Sequence, residues 1–260
     1  MRLASIASGS SGNAVYVGTE HTHILVDIGI SNRRIEQGLN DLGLAADELN
    51  ALVVTHEHLD HVKGLPVFMR RHLVPLYATA GTLEMLRNHG MLEGVEKDLI
   101  HEIRAESRFS VGDLSLLPFA IDHDAAEPVA YRIMSQKKAV AVATDMGHFT
   151  EEIVSHLLQL DAVLLESNHD VRMLEAGPYP YQLKRRILGD LGHLSNENAG
   201  RLLKRILHDG MKQVFLGHLS KENNFPALAY ETVRCELGDT AKDLPIAVAA
   251  RDRLSPVCEF

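Results

Sequence analysis

The chain has no tryptophan, and its two cysteines, Cys235 and Cys258, stand far apart with no CxxC. That argues against a disulfide framework and against a cysteine-built metal site. No apolar run is long enough to span a bilayer. The opening Met1-Arg2-Leu3-Ala4-Ser5 lacks a charged segment followed by a long apolar core. No leader is therefore expected, and the cytoplasm is the expected compartment. No Pro/Ser-rich linker, charge block or repeat divides the 260 residues, so one domain over 1–260 is expected. Positive charge is not in excess either. A formal net charge of -9 argues against a surface coated for non-specific nucleic-acid binding, while leaving room for a local basic groove. With 45% hydrophobic and 23% charged residues, the composition is that of an ordinary soluble globular protein.

Histidine is abundant instead, at 15 residues. His21, His23, His72, His89, His101, His156 and His208 have no second ligand-type residue at useful spacing and read as solvated surface residues. The others gather where apolar runs end. Met1-Ala7, Ala14-Gly18, Ile24-Ile28 and Ala51-Thr55 read as strands, and so do Pro75-Ala78, Leu114-Ile121, Val129-Ile133, Ala139-Ala143 and Ala162-Glu166. Late strands are expected at Gln213-Leu216 and Ile246-Ala249. Helices are expected at Ser31-Gly38 with Ser31 as N-cap, after Thr150, from Ser195 to about His208, and near Ala227-Glu236. Strands followed by mixed strands and helices fit an α/β (α+β) protein in which two sheets lie between helical layers.

The densest chemistry is Thr55-His56-Glu57-His58-Leu59-Asp60-His61, which directly follows a buried apolar strand. In an extended segment residues two apart face the same side, so His56 and His58 can grip one ion. Asp60 and His61, where the chain turns helical, can face a second. Imidazole nitrogen and carboxylate oxygen suit Zn²⁺, Mn²⁺ or Fe. Three further apolar strands lead into His123, Asp145 and His218, which would complete a ligand set.

In chain order, Asp27, His56-x-His58-x-Asp60-His61, His123, Asp145 and His218 resemble the metallo-β-lactamase-fold hydrolases. The resemblance implies an αββα four-layer sandwich holding two divalent ions, zinc or manganese. His56, His58 and His123 would hold one ion, and Asp60, His61 and His218 the other. Asp145 would bridge them, and Asp27 would orient the ligands from behind. The blocks Ser8-Gly9-Ser10-Ser11-Gly12-Asn13, Glu166-Ser167-Asn168-His169-Asp170, Leu188-Gly189-Asp190-Leu191-Gly192-His193-Leu194-Ser195-Asn196 and Gly217-His218-Leu219-Ser220-Lys221-Glu222-Asn223-Asn224 resemble the narrower YycJ/WalJ (VicX) branch. That branch is described as nucleases, including 5′→3′ DNA exonucleases, so the implied partner is nucleic acid, DNA above all, with no membrane. The stretch between Asp145 and His218 is too short for the inserted cap of β-CASP nucleases.

The expected reaction is attack of a metal-bridging hydroxide on phosphorus. Asp60 is expected to accept the proton of the attacking water. His193, just before the Ser195 helix, is expected to supply a proton to the leaving oxygen, a role the resemblance to ribonuclease Z also suggests. Ser10, Ser11 and Asn13 are expected to bind phosphate, with a tight turn as the alternative reading. Asn168-His169-Asp170 is expected to line the cleft without ligating. Basic clusters at Arg70-Arg71-His72, Lys184-Arg185-Arg186 and Arg201…Lys204-Arg205 are either solvated helix faces or a phosphate track. A small-molecule cyclic phosphodiesterase and a thioester hydrolase are the competing activities, with a metal-holding binding module as the non-enzymatic alternative.

Overall fold

A computed structural model describes residues 1–260. The strands form two seven-stranded sheets. The first contains β1 (Arg2–Ala7), β2 (Ala14–Gly18), β3 (His23–Val26), β4 (Ala51–Val53), β5 (Leu76–Thr79) and β6 (Ile100–Ile103) in chain order. The second contains β7 (Phe109–Val111), β8 (Leu114–Ala120), β9 (Val129–Ser135), β10 (Lys138–Ala143), β11 (Ala162–Glu166), β12 (Gln213–Gly217) and β13 (Ile246–Val248). The short β14 (Cys258–Glu259) returns to pair with β1. Each sheet is antiparallel on one side and parallel on the other: β3-β4-β5-β6 and β10-β11-β12-β13 are the parallel halves.

The alternation of side chains explains why so many strands are apolar throughout. In β10, Ala139, Ala141 and Ala143 pack outward against helices, while Val140 and Val142 pack between the sheets. β11 and β12 do the same, with Val163, Leu165, Val214 and Leu216 outward and Leu164 and Phe215 inward. In the first sheet Ala4, Tyr16, Leu25 and Leu52 face helices, and Leu3, Val17, Ile24 and Val53 face the other sheet. A strand buried on both faces has no polar side to show. Helices α1 (Asn32–Asp41), α2 (Leu59–Val62), α3 (Leu65–Arg71) and α4 (Ala80–Asn88) belong to the first half. The second half carries α5 (Glu151–Leu157), α6 (Val171–Ala176), α7 (Tyr181–Leu188), α8 (Asn196–Ile206) and α9 (Pro226–Leu237). Three apolar clusters, two between helix and sheet and one between sheets, make the αββα layering. No helix is long and apolar enough to cross a membrane.

Several sequence expectations need correction. Ile24-Ile28 and Ala51-Thr55 stop as strands at Val26 and Val53. Asp27 turns into the left-handed region at φ 62°, and its Oδ1 takes the Thr55 N–H at 2.8 Å, so both chains leave the ladder there. Ser31 occupies the N-cap of α1, but its side chain makes no cap bond, whereas Ser195 and Thr150 do cap α8 and α5. α3, α4, α6 and α7 lie outside the expected helices: α6 buries only Leu174 and α7 nothing, while α3 and α4 are short and bury Leu65, Phe68 and Met69, and Thr82, Leu83 and Leu86. The histidines read as solvated are mostly tethered. His72 is wedged between Glu36 and Asp47, His156 stacks on Phe119, His101 stacks on Tyr77, His23 pairs with the Tyr16 hydroxyl, and His208 donates to the Leu160 carbonyl. His21 and His89 are exposed as expected.

Candidate metal centre

Parallel strands run the same way, so their carboxyl ends share one edge, where open sites form in α/β sheets. Asp27 follows β3, the His56–His61 run follows β4, Asp145 follows β10, Glu166 ends β11 and His218 follows β12. β8 runs in the same direction as β10, because each pairs antiparallel with β9, so His123 reaches the same edge. Three of these positions, Asp27, Asp145 and His218, have left-handed backbone at φ 62°, 62° and 55°. Such conformations cost about 1–3 kcal/mol in non-glycine residues and are held only where the surroundings dictate them. Gly29 matters for the same reason: a Cβ there would lie 1.6 Å from the Asp60 carbonyl oxygen, so only glycine lets the β3 turn pack against the metal run.

The ligand-type atoms converge. Those of His56, His58 and His123 lie within 4.8 Å of one another, and so do those of Asp60, His61 and His218. Asp145 stands between the trios: its Oδ2 is 3.2 Å from His61 Nε2, and its Oδ1 is 3.5 Å from His218 Nε2 and 3.8 Å from His123 Nε2. His218 Nε2 is also 3.2 Å from Asp60 Oδ2. His56, His61, His123, Asp145 and His218 are buried, whereas His58 and Asp60 are half-buried and mark the open side.

Four of the imidazoles are held by their Nδ1 atoms. His61 donates Nδ1–H to Asp27 Oδ2 at 2.8 Å, His123 to the Gly192 carbonyl at 3.1 Å, and His218 to Glu166 Oε1 at 3.1 Å. His56 Nδ1 meets Thr55 Oγ1 at 3.0 Å. That pattern fixes the tautomer and turns each Nε2 lone pair toward the centre, as a metal-ligating histidine requires.

Electrostatics show how strongly the buried carboxylates call for positive charge at this centre. Burial pushes the pKa of His56 well below the ordinary imidazole value, reinforced by His61, and burial also lowers His123. Burial opposes charge on His61 and His218, but the carboxylates of Asp145, Asp27 and Asp60 raise His61, and Asp145, Asp60 and Glu166 raise His218 to about 10. Asp145 and Asp60 are held below the carboxylate range against burial, chiefly by His218 and His61. Asp27, Asp145 and Glu166 are three buried carboxylates gathered in one place. Thr55 donates to Asp27, Met146 N and Leu194 N donate to Glu166, and positive charge at the centre would offset the rest of the cost. His56 Nε2 and Asp145 Oδ2 are buried with no hydrogen-bond partner, and His58 Nδ1 and His123 Nε2 face each other at 3.2 Å. Orphaned acceptors aimed at a common centre fit divalent cations, and nitrogen with oxygen donors suits Zn²⁺ or Mn²⁺.

The remaining expected residues divide. His193 sits at the cluster: its Nδ1 is 2.8 Å from Glu166 Oε1 and 3.5 Å from Asp145 Oδ1, and its side chain is 19% exposed. Ser10 and Ser11 are exposed at the loop tip. Asn13 is not: its Oδ1 accepts from Gly9 N at 2.9 Å, and its Nδ2 lies 3.3 Å from the Asp60 carbonyl and 3.2 Å from His61 Nε2, so it braces the metal run rather than facing a ligand. Nor do Asn168-His169-Asp170 line the cleft. Asn168 donates to the His218 carbonyl, His169 is buried, and Asp170 caps α6. Glu166 is the functional residue that sequence reading passed over. It is fully buried, and its Oε2 accepts from Met146 N and Leu194 N while Oε1 takes His193 and His218. The signal was available, since a lone acid ending the apolar run Ala162-Val163-Leu164-Leu165 has no core role. Among the basic clusters, Arg71, Arg201 and Arg205 pair with Glu36, Glu236 and Glu151 as helix-face ion pairs. Arg186 forks onto Asp124, beside His123.

A family model described as a beta-lactamase superfamily domain matches residues 22–218. The chain belongs to this superfamily, in its WalJ/YycJ branch. Over its whole length it is 37% identical to "Exodeoxyribonuclease WalJ" of Streptococcus pneumoniae serotype 2 (strain D39), covering 98% of that protein. It is 35% identical to "Exodeoxyribonuclease YycJ" of Bacillus anthracis over 90% of this chain and 88% of that one. Among solved structures, Zn²⁺-bound PqqB from Methylobacterium extorquens superposes with a TM-score of 0.74 at 17% identity over 100% of both chains. The short form of human tRNase Z gives 0.67 at 16%, again over 100% of both chains. These two likenesses concern the fold alone. The four-layer sandwich expected from the sequence is the architecture found.

Proposed function

We propose that residues 1–260 form one hydrolase domain that cleaves phosphodiester bonds of nucleic acid with two divalent ions, as a DNA exonuclease working in the 5′→3′ direction. The observation that carries the chemistry is His193, an imidazole tied through Nδ1 to the buried Glu166; it clusters with Asp145, Glu166 and His218 and belongs to neither ligand trio. The names of the full-length relatives support DNA as substrate. His56, His58 and His123 would hold one ion, Asp60, His61 and His218 the other, with Asp145 shared. When bound, the two ions activate water and neutralise charge on the phosphoryl oxygens.

The chain's own residues do the rest. Asp60, the ligand-type carboxylate open to the cleft, accepts a proton from the attacking water. Glu166 fixes the tautomer of His193 through Nδ1 and sustains its positive charge, raising its pKa despite burial. His193 Nε2 then gives its proton to the leaving oxygen as the bond from phosphorus breaks. Ser10 and Ser11 present exposed hydroxyls beside the metal run for a phosphate oxygen. The reading assigns the enzyme to the cytoplasm, where DNA is its substrate and free thiols such as Cys235 and Cys258 persist.

The test incubates purified protein with Mn²⁺ or Zn²⁺ and end-labelled duplex DNA, single-stranded DNA, RNA and a chromogenic phosphodiester, alongside Asp60→Ala. Stepwise shortening of DNA from its 5′ end, lost in Asp60→Ala, is expected. Cleavage of the small ester alone would sink the nuclease reading.

A further inference from the structure

A cleft of about 510 Å³ lies behind the segment that carries His218, and none of the ligand-type residues of the centre lines it. Its inner wall is Ser8 and Leu219. Ser8 Oγ accepts from the His218 N–H at 2.8 Å, and the Leu219 carbonyl accepts from Ser10 N at 3.4 Å. The wall of the cleft is therefore the back of the loop that meets the metal run. Its outer rim carries Lys221, Phe225 and Arg253, all exposed, with Arg251 between rim and wall.

Two features of this cleft lack a structural use. Phe225 is 50% exposed, although the helix it precedes has a buried face to offer it. Lys221, Arg251 and Arg253 form no ion pair, in a chain with a net charge of -9. Arg251 is the most telling. Its Nη2 donates to the Leu219 carbonyl at 2.5 Å, while its Nη1 is buried under Gly9 with no hydrogen-bond partner. Asp252 and Glu222 are the acids that act on this guanidinium, and neither forms an ion pair with it, so it contributes a positive field behind Ser8-Gly9-Ser10. Asp252 is the one acid in the lining. An aromatic face next to three cations that outnumber the one acid lining the cleft is the arrangement that holds single-stranded nucleic acid, with the base on the ring and the phosphate on the charges.

We propose that this cleft is a nucleotide subsite for the strand being digested. The base beside the scissile phosphate stacks on Phe225, its phosphate lies between Lys221 and Arg253, and Arg251 fixes the wall that aims the next phosphate over Ser10 toward the metal centre. The inference rests on the nuclease reading, and its test separates the two.

The full-length protein, kept metal-free with EDTA so that no strand is cut, is titrated into a labelled single-stranded oligonucleotide and followed by fluorescence anisotropy. Phe225→Ala is expected to bind roughly ten-fold or more weakly, as loss of one stacked base does, and Phe225→Trp to restore binding. Lys221→Ala and Arg253→Ala are each expected to flatten the salt dependence by about 0.7 in the log–log slope, one phosphate contact apiece. Equal binding by Phe225→Ala, unchanged salt slopes, or no binding by the wild type would overturn the subsite. The same oligonucleotide with Mn²⁺ and the wild type reads the other claim: binding through Phe225 without cleavage supports the subsite and removes the nuclease.

Discussion

Asp27 and Glu166 occupy matching places in the two halves of the molecule. Each stands at the carboxyl end of a buried parallel strand, and each holds the Nδ1 of a cluster histidine, at 2.8 and 3.1 Å. Their second partners differ. Asp27 also takes both the N–H and the hydroxyl of Thr55, which steadies His56, so everything it braces serves a ligand trio. Glu166 also takes His193, a partly exposed imidazole outside the trios. On the proposed reading, metal holding would be shared between the sheets, while proton delivery would belong to the second one. A buried carboxylate behind a histidine is therefore not a signature of either role. What else it holds decides.

The comparison can be broken most severely at its centre. Asp145→Ala removes the one group common to both trios, and turnover should fall to background with loss of bound metal, read by elemental analysis of the dialysed protein. His193→Ala should keep its metal but lose about 10²–10⁴-fold in turnover on DNA, the usual worth of a general acid. The loss should shrink on a p-nitrophenyl phosphodiester, whose leaving group needs no proton, and equal losses on both substrates would remove His193 from that role. Asp27→Asn and Glu166→Gln sharpen the contrast further. Both should weaken metal binding about 10–100-fold. At saturating metal, Asp27→Asn should recover most of its turnover and Glu166→Gln should not, since only the second leaves His193 unsupported. The smallest effect concerns strain. Gln159 shares the left-handed backbone of Asp145 but lies at an exposed turn after α5, so Gln159→Gly should raise stability by about 1 kcal/mol in a denaturant melt and leave activity intact.

The site was more legible in sequence than its supports. His56, His58, Asp60 and His61 fall within one short run, and His123, Asp145 and His218 each end an apolar strand, so spacing and strand ends were enough to collect them. Glu166 and Asn168 ended or followed an equally plain strand, but their roles depend on β11 lying beside β12, a pairing written in no local pattern. Asn13 looked like a phosphate-binding turn residue. Only the fold, which lays it on Asp60 and His61, shows that its amide is already occupied. Helices were legible where a buried face repeats over several turns. α8 was found through Leu202, Leu203 and Ile206, α7 has no buried residue to read, and α3 and α4 bury Phe68, Met69, Leu83 and Leu86 but are too short to repeat the period. The Phe225 cleft was invisible for a related reason, because its cations come from Lys221 and from Arg251 and Arg253, far apart in the chain.

Metal stoichiometry tests the account most directly. The wild-type chain, loaded with Zn²⁺ or Mn²⁺ and dialysed, should carry two ions, and His123→Ala and His218→Ala should each carry one. One ion in the wild type, or either variant that keeps both, would contradict a two-ion centre in which each trio is closed by a histidine of the second sheet.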